Sequence, residues 1–135
     1  MIQRQQSLWL VLSLVCSFFS YKFPFYTGML KTGIPEDMDG ASNFFLLVLT
    51  GISLLLSLIT IFLYRERKRQ LKFAIAGIVL ALIILVIYIY GISTFQSGTL
   101  SLSCLFVLAM LAGYIMAARG IWKDEKLVKS LDKLR

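Results

Sequence analysis

The chain has 135 residues, of which 59% are hydrophobic and only 16% charged, where an ordinary soluble domain carries roughly a quarter charged residues. A single small domain cannot hide that much apolar surface from water, so the composition excludes a soluble enzyme or soluble nucleic-acid-binding module and points to a membrane. The net charge of +7 is informative only through where the cations stand.

Four apolar runs follow one another, each near the roughly 20 residues needed to cross a bilayer. The first spans about 8–25. Arg4 ahead of it resembles the start of a signal peptide, but the apolar run continues into Phe23-Pro24-Phe25 and no small-residue cleavage site follows, so this helix is expected to be retained. Cys16 does not make it a lipoprotein signal, because the preceding Leu14 and Val15 are too large. The second run covers 44–64, the third 71–92 and the fourth 100–118. Strands this apolar would have no polar face, so each run reads as a helix that satisfies its own backbone. The expectation is an all-α membrane protein of one domain, 1–135. Its four transmembrane helices form an antiparallel bundle, with short connections, and a C-terminal amphipathic cytoplasmic helix occupies the tail, 119–135.

The segment between the first two runs, about 26–43, is the longest polar stretch. Its glycines and Pro35 mark turns. Glu36, Asp37 and Asp39 in PEDMDG lack the ligand spacing of a calcium loop, so a solvated turn is expected there.

Small residues recur along each run. Ala109, Gly113 and Ala117 are spaced by four; Ser13, Ser17 and Ser20, Ser53, Ser57 and Thr60, and Ala74, Gly77 and Ala81 form similar lines. Lipid tails are as apolar as leucine, so membrane helices associate where small residues permit close approach. These lines therefore predict intramolecular helix packing.

The threading follows from the cations. With the N-terminus inside, twelve of the fourteen Lys and Arg residues lie on the inner side: Arg4, Arg65, Arg67, Lys68, Arg69, Lys72, Arg119, Lys123, Lys126, Lys129, Lys133 and Arg135. Only Lys22 and Lys31 lie outside. This bias across short loops places both termini in the cytoplasm. Trp9, Tyr64 and Trp122 near the inner boundary, and Tyr21, Tyr26, Tyr88 and Tyr90 near the outer one, fit two aromatic belts.

The closing segment ARGIWKDEKLVKSLDKLR repeats leucine at helical spacing. Leu127, Leu131 and Leu134 stand at i, i+4 and i+7, and Glu125 can pair with Lys129. Arg4, Arg119, Trp122, Leu127, Leu131 and Leu134 are the candidate cytoplasmic docking residues, with a lipid headgroup layer or a protein as the partner. Arg65, Arg67, Lys68, Arg69 and Lys72 form a second cluster able to hold anionic lipid at about 1 kcal/mol per residue, or an acidic partner. Nucleic acid is not expected as more than an indirect contact.

Much chemistry is excluded. The chain has no histidine, which removes bis-His haem, His-containing zinc sites and His-based acid–base catalysis. Its two cysteines, Cys16 and Cys104, form no C-x-x-C pair and read as packing residues. No Asp or Glu falls inside a predicted span, so carboxylate-coupled export is disfavoured. The serines have no base to activate them, and no glycine-rich phosphate loop is present. No catalytic, metal-binding or cofactor-binding residue is assigned and no cofactor is expected.

The opening MIQRQQSLWL and, more closely, the closing ARGIWKDEKLVKSLDKLR resemble a family of small membrane proteins from Bacteroidota, the domain of unknown function DUF4293. Trp9 stands where an aromatic or apolar residue is usual, whereas Trp122 departs from the basic residue expected at its position. The resemblance implies a multi-pass bacterial inner-membrane protein with four helices and no assigned activity. It supplies no catalytic residues. The functional expectation is a non-enzymatic accessory or structural subunit of a larger membrane complex, in contact with other membrane subunits. The alternative is a small oligomeric transporter or channel.

Overall fold

The computed structural model describes residues 2–38, 43–102 and 104–134, and the side chains of all of these except 2–4 and 38. Four helices dominate: α1 (Ile2–Lys22), α2 (Phe44–Phe62), α3 (Arg67–Ile92) and α4 (Cys104–Lys133). Between them lie three short strands, β1 (Tyr26–Leu30), β2 (Pro35–Met38) and β3 (Phe95–Leu100). Of the helices, α2, α3 and α4 are long and apolar enough to cross a membrane. α1 is not among them, because its first turns are Gln3-Arg4-Gln5-Gln6 and four serines interrupt its apolar residues.

The helix boundaries have local causes. α1 starts earlier than the apolar run because Gln and Arg are good helix formers. It stops at Lys22, since Pro24 lacks an N–H and drives the residue before it out of the helical region. α3 begins at Arg67, so the basic cluster supplies its first turn. α4 begins at Cys104 and runs unbroken for 30 residues, about 45 Å at 1.5 Å per residue. The tail is thus not a separate amphipathic helix. Only Gly120 disfavours helix between Ala118 and Lys123, and one glycine costs only about 1 kcal/mol.

The helices touch in ring order: α1 against α2 and α4, and α3 against α2 and α4. Paired residues run in opposite senses along neighbours. Gln6 meets Asp124, Ser13 meets Met110, and Phe19 meets Phe106. The small-residue lines turn inward. Ser13, Ser17, Ser53, Ser57, Thr60, Ala74, Ala81 and Ala117 are all fully buried, as are Tyr88 and Tyr114. Gly77 is buried under the Tyr114 ring, and Gly113 is buried against Ser13 and the Trp9 carbonyl of α1. Ala109 is half-buried at the same seam. The outward faces carry Leu8, Phe18, Leu55, Val79, Val86, Leu105 and Ile115, all exposed. Apolar outside and hydroxyl-rich inside is the distribution expected of helices surrounded by hydrocarbon.

The three-stranded antiparallel sheet, in the order β2-β1-β3, corrects the expectation of a wholly α-helical chain. The predicted turn at PEDMDG is instead an edge strand as far as Met38, paired with β1 from Tyr26↔Met38 to Met29↔Pro35; Asp39 and Gly40 lie outside the described residues. The hairpin closes through Lys31-Thr32-Gly33. Gly33 N donates to the Leu30 carbonyl at 2.8 Å, Leu30 N donates to the Ile34 carbonyl at 3.0 Å, and Gly33 has φ +85°. That is the three-residue hairpin with glycine in the left-handed position. β3 pairs with the other side of β1, from Tyr26↔Leu100 to Leu30↔Phe95, so Leu100, expected to open the fourth apolar run, belongs to a strand. Gly28 and Gly98 face each other, and a Cβ on Gly98 would come within 2.8 Å of the Gly28 Cα. Tyr26 packs edge-on against Phe95 at 5.0 Å across β1 and β3, and Phe25 stacks on Tyr88 of α3 at 4.3 Å, fixing the sheet to that helix.

Two substitutions test this packing. Gly113→Leu forces its side chain into Trp9 and Ser13, and is expected to cost at least the roughly 1–3 kcal/mol of an overpacked site. Leu111→Ile conserves volume and is expected to cost less than about 1.5 kcal/mol. Equal thermal melts in detergent would refute the close approach of α1 and α4. Gly98→Val should lower the melting temperature as well, through the β1–β3 contact, and an unchanged melt would show that pair to be loose.

Candidate functional site

The end of the molecule opposite the sheet holds the N-terminus of α1, the α2–α3 link and the C-terminal turns of α4. The link is four residues long, Leu63-Tyr64-Arg65-Glu66, and is held by Glu66 N donating to the Leu63 carbonyl at 3.0 Å. Gln70 Nε2 of α3 reaches back to the Thr60 carbonyl of α2 at 3.2 Å and ties the two helix ends together. This keeps Arg65–Arg69 close to the last turns of α4. Arg65, Glu66, Arg67, Lys68 and Arg69 face Glu125, Val128, Lys129 and Asp132 across an open groove of about 740 Å³.

The groove is predominantly basic. Arg69 Nε pairs with Glu66 at 2.8 Å and Lys129 Nζ with Glu125 at 3.4 Å. Both pairs reach solvent and contribute about 0–1 kcal/mol each. Among the described residues no carboxylate pairs with Arg65, Arg67 or Lys68. Arg65 lies over the Tyr64 ring at 5.8 Å. The positive end of the α3 dipole adds to the field, and Glu66 at the N-cap makes no side-chain cap hydrogen bond. The arrangement can attract phosphate or carboxylate oxygens. Lys72 is exposed one turn along α3 and does not line the groove.

The remaining predicted residues divide between two other surfaces of α4. Arg119 and Leu127 border a shallow groove against Gln5 of α1, together with Met116, Gly120 and Lys123. Trp122 and Leu127 lie with Lys123, Lys126 and Ser130 on the outer side of the helix, where Lys126 Nζ sits 5.3 Å above the Trp122 ring. Leu131 and Leu134 are exposed further along. The side chain of Arg4 lies outside the described residues, although α1 includes its position. The Glu125–Lys129 pair expected from i, i+4 spacing is present.

One polar contact went unread in the sequence. Asp124 is 7% exposed and accepts a 2.7 Å hydrogen bond from Gln6 Nε2. Gly120 permits the approach, since a Cβ there would lie 2.9 Å from Gln6 Cγ. Asp124 lies in the segment expected to form an amphipathic cytoplasmic helix, where its sequence gives it no partner. The available signal was periodicity: Gly113, Ala117 and Asp124 share one helical face.

Deeper in, hydroxyls from three helices converge on Tyr114. Its phenol donates to the Ser53 carbonyl at 2.7 Å and contacts Ser57 Oγ and, at 3.2 Å, Ser53 Oγ. Ser17 Oγ bonds to the Ser13 carbonyl at 2.8 Å and lies 3.4 Å from Ser53 Oγ. Ser13 Oγ donates to the Met110 carbonyl at 3.1 Å. Thr50 Oγ1 is the one buried side-chain polar atom among the described residues without a partner. Cys16 and Cys104 are free thiols.

Residues 2–134 match the family described as domain of unknown function (DUF4293). The chain belongs to the DUF4293 family. No curated protein and no solved structure matches it, so no residue role transfers to this DUF4293 chain from a characterised relative, and its site rests on geometry alone.

Removing the buried acceptor distinguishes structural from surface acids. Asp124→Ala leaves the Gln6 amide without its partner and is expected to cost about 1–3 kcal/mol, while Asp132→Ala at the exposed groove wall should fall within about 0.5 kcal/mol of the parent. Unfolding in mixed micelles measures both, and indistinguishable curves would remove Asp124 from the α1–α4 contact.

Proposed function

We propose that this DUF4293 chain is a non-enzymatic accessory subunit of a larger assembly in the bacterial inner membrane. In this reading all four helices cross the bilayer as an antiparallel bundle, with both termini and the basic groove in the cytoplasm. The observation that carries it is the division of labour among side chains. The interior hydroxyls of Ser13, Ser17, Ser53, Ser57 and Tyr114 each contact a neighbouring helix. The cations Arg65, Arg67 and Lys68 and the exposed leucines of the α4 tail lie at the basic end. A molecule whose recognition groups lie at one end and whose core is occupied by its own contacts is suited to scaffolding. The apolar outer face of α1, with Leu8, Val11, Leu12, Val15 and Phe18 exposed, supports its inclusion as the fourth span despite its polar start. Arg65, Arg67, Lys68, Arg69 and Lys72 then lie at headgroup depth, where anionic lipid contributes about 1 kcal/mol per cation.

A second reading, a small oligomeric transporter or channel, draws support from one feature: Ser20, Ser17, Ser53, Ser57 and Thr60 form a polar file along the interior.

Purification in mild detergent followed by native mass spectrometry separates the two. Other proteins retained at fixed stoichiometry are expected for the subunit, whereas a homo-oligomer alone would sink it in favour of the transporter. The threading has its own test. Reporters fused after Arg69 and after Arg135 should read as cytoplasmic, and one near Glu36 as periplasmic, from the twelve-to-two distribution of cations. A periplasmic C-terminal reporter would overturn the four-span arrangement.

A further inference from the structure

The last turns of α4 carry three chemically distinct faces. Glu125, Val128, Lys129 and Asp132 turn toward the Arg65–Arg69 segment. Asp124 turns toward Gln6 of α1 and is buried there. Leu127, Leu131 and Leu134, at i, i+4 and i+7, form the third face; Leu127 also borders the groove against Gln5, and the three are 53%, 63% and 85% exposed. Lys123 and Lys126 flank this stripe together with Ser130, all exposed. At 100° per residue Lys133 also falls on the flanking side. Among the described residues the carboxylates of the tail turn to the two inward faces, and the exposed polar residues beside the leucine stripe are Lys123, Lys126 and Ser130.

Three occupants could cover such a stripe, and charge and geometry choose among them. The bilayer reaches only the start of the stripe. In the threading proposed above the inner aromatic belt at Trp122 marks the boundary, next to Ile121, which packs with Ala74 and Ala118 near Leu71. Because α4 continues unbroken to Lys133, Leu131 lies about 15 Å and Leu134 about 20 Å beyond Ile121 along the axis. The headgroup layer extends only about 5–8 Å past the hydrocarbon. A tail lying flat on the headgroups would need a break in α4 that the helix does not have. A second copy of the chain is disfavoured by charge, since pairing the stripe with itself would set Lys123 and Lys126 against their counterparts. A protein with the opposite border meets no such obstacle.

We propose that the stripe of Leu127, Leu131 and Leu134, with Lys123 and Lys126 beside it, docks an acidic amphipathic segment of another protein. That segment presents an apolar ridge to the leucines and Asp or Glu residues to the lysines. The recognition mode is helix against helix, read through i, i+4, i+7 anchors, with the charged border setting partner choice and orientation. This inference rests on the subunit reading above and adds the chemistry of the partner.

The test places a photo-reactive amino acid at position 131 of the full-length chain in its own cells, with a second at position 115 on the exposed face of the span. Irradiated adducts are sequenced by mass spectrometry. Position 115 reports lipid or a neighbouring span. Position 131 is expected to yield a peptide from another protein, attached at an apolar residue with at least two Asp or Glu within a helical turn. The double substitution Lys123→Glu, Lys126→Glu should cut that yield roughly tenfold or more, because rim attraction becomes repulsion. Leu127→Ser should abolish it. All three positions are exposed, so each variant should melt like the parent, and yields are compared only between variants that do. A lipid adduct at 131, an adduct to a second copy of the chain, a partner peptide without carboxylates, or no adduct above background would each overturn the proposal. Stoichiometric partners in the detergent preparation alongside a lipid adduct at 131 would defeat this inference and leave the subunit reading standing.

Discussion

Hydroxyl groups withdrawn from water are satisfied inside the protein, Thr50 excepted among the described residues, and that constraint organises this molecule. In an apolar surround an unpaired buried donor or acceptor is costly, so each serine line is useful only if it meets another helix. Ser13 reaches the backbone of α4 at Met110, Ser17 approaches Ser53 of α2, and Tyr114 of α4 closes on Ser53 and Ser57. The small residues around these contacts serve the same end. Gly77 leaves room for the Tyr114 ring and Gly113 for Ser13. Leucines and phenylalanines are displaced outward, giving a helix cluster that is more polar within than without.

The two ends of that cluster are built from opposite materials. At one end, backbone hydrogen bonding in the β2-β1-β3 sheet joins the α1–α2 and α3–α4 connections. Phe25, just ahead of β1, attaches that sheet to α3 by stacking on Tyr88. The edge strand β2 carries Pro35, Glu36 and Asp37, which guard it against further pairing. At the other end the link is short, the contacts are side chain to side chain, and the cations collect. Gln70 and the Gln6–Asp124 pair hold that end together with few atoms, which leaves most of its charged and apolar groups on the surface.

Continuity of α4 connects the buried and the exposed halves. The face that packs Gly113 and Ala117 against α1 extends upward into Asp124, and the adjoining face extends into the groove wall. The packing that fixes the core therefore also sets the rotation of the tail. Because one helix serves both regions, the orientation of the leucine stripe is a consequence of how the interior hydroxyls are paired.

Composition and hydropathy were enough to point to a membrane, to locate the apolar segments and to show which small residues face inward, because these properties depend on periodicity and transfer free energy. The positions of Leu127, Leu131 and Leu134 on one face were equally legible from spacing. The sheet was not, although Lys31-Thr32-Gly33 carries the signal of a three-residue hairpin: five- and six-residue strands acquire their stability from partners 70 residues away in the chain, not from their own sequence. Nor was the role of Asp124 legible. Whether a carboxylate in a charged tail is solvated or buried depends on whether another helix brings an amide to it, and here α1 does so through Gln6. Local sequence governs which segments are helical and which face is apolar; the meeting of residues far apart in the chain is decided only by the packing of α1 on α4 and of β1 between its two neighbours, because loop closure and side-chain complementarity are properties of the assembled fold.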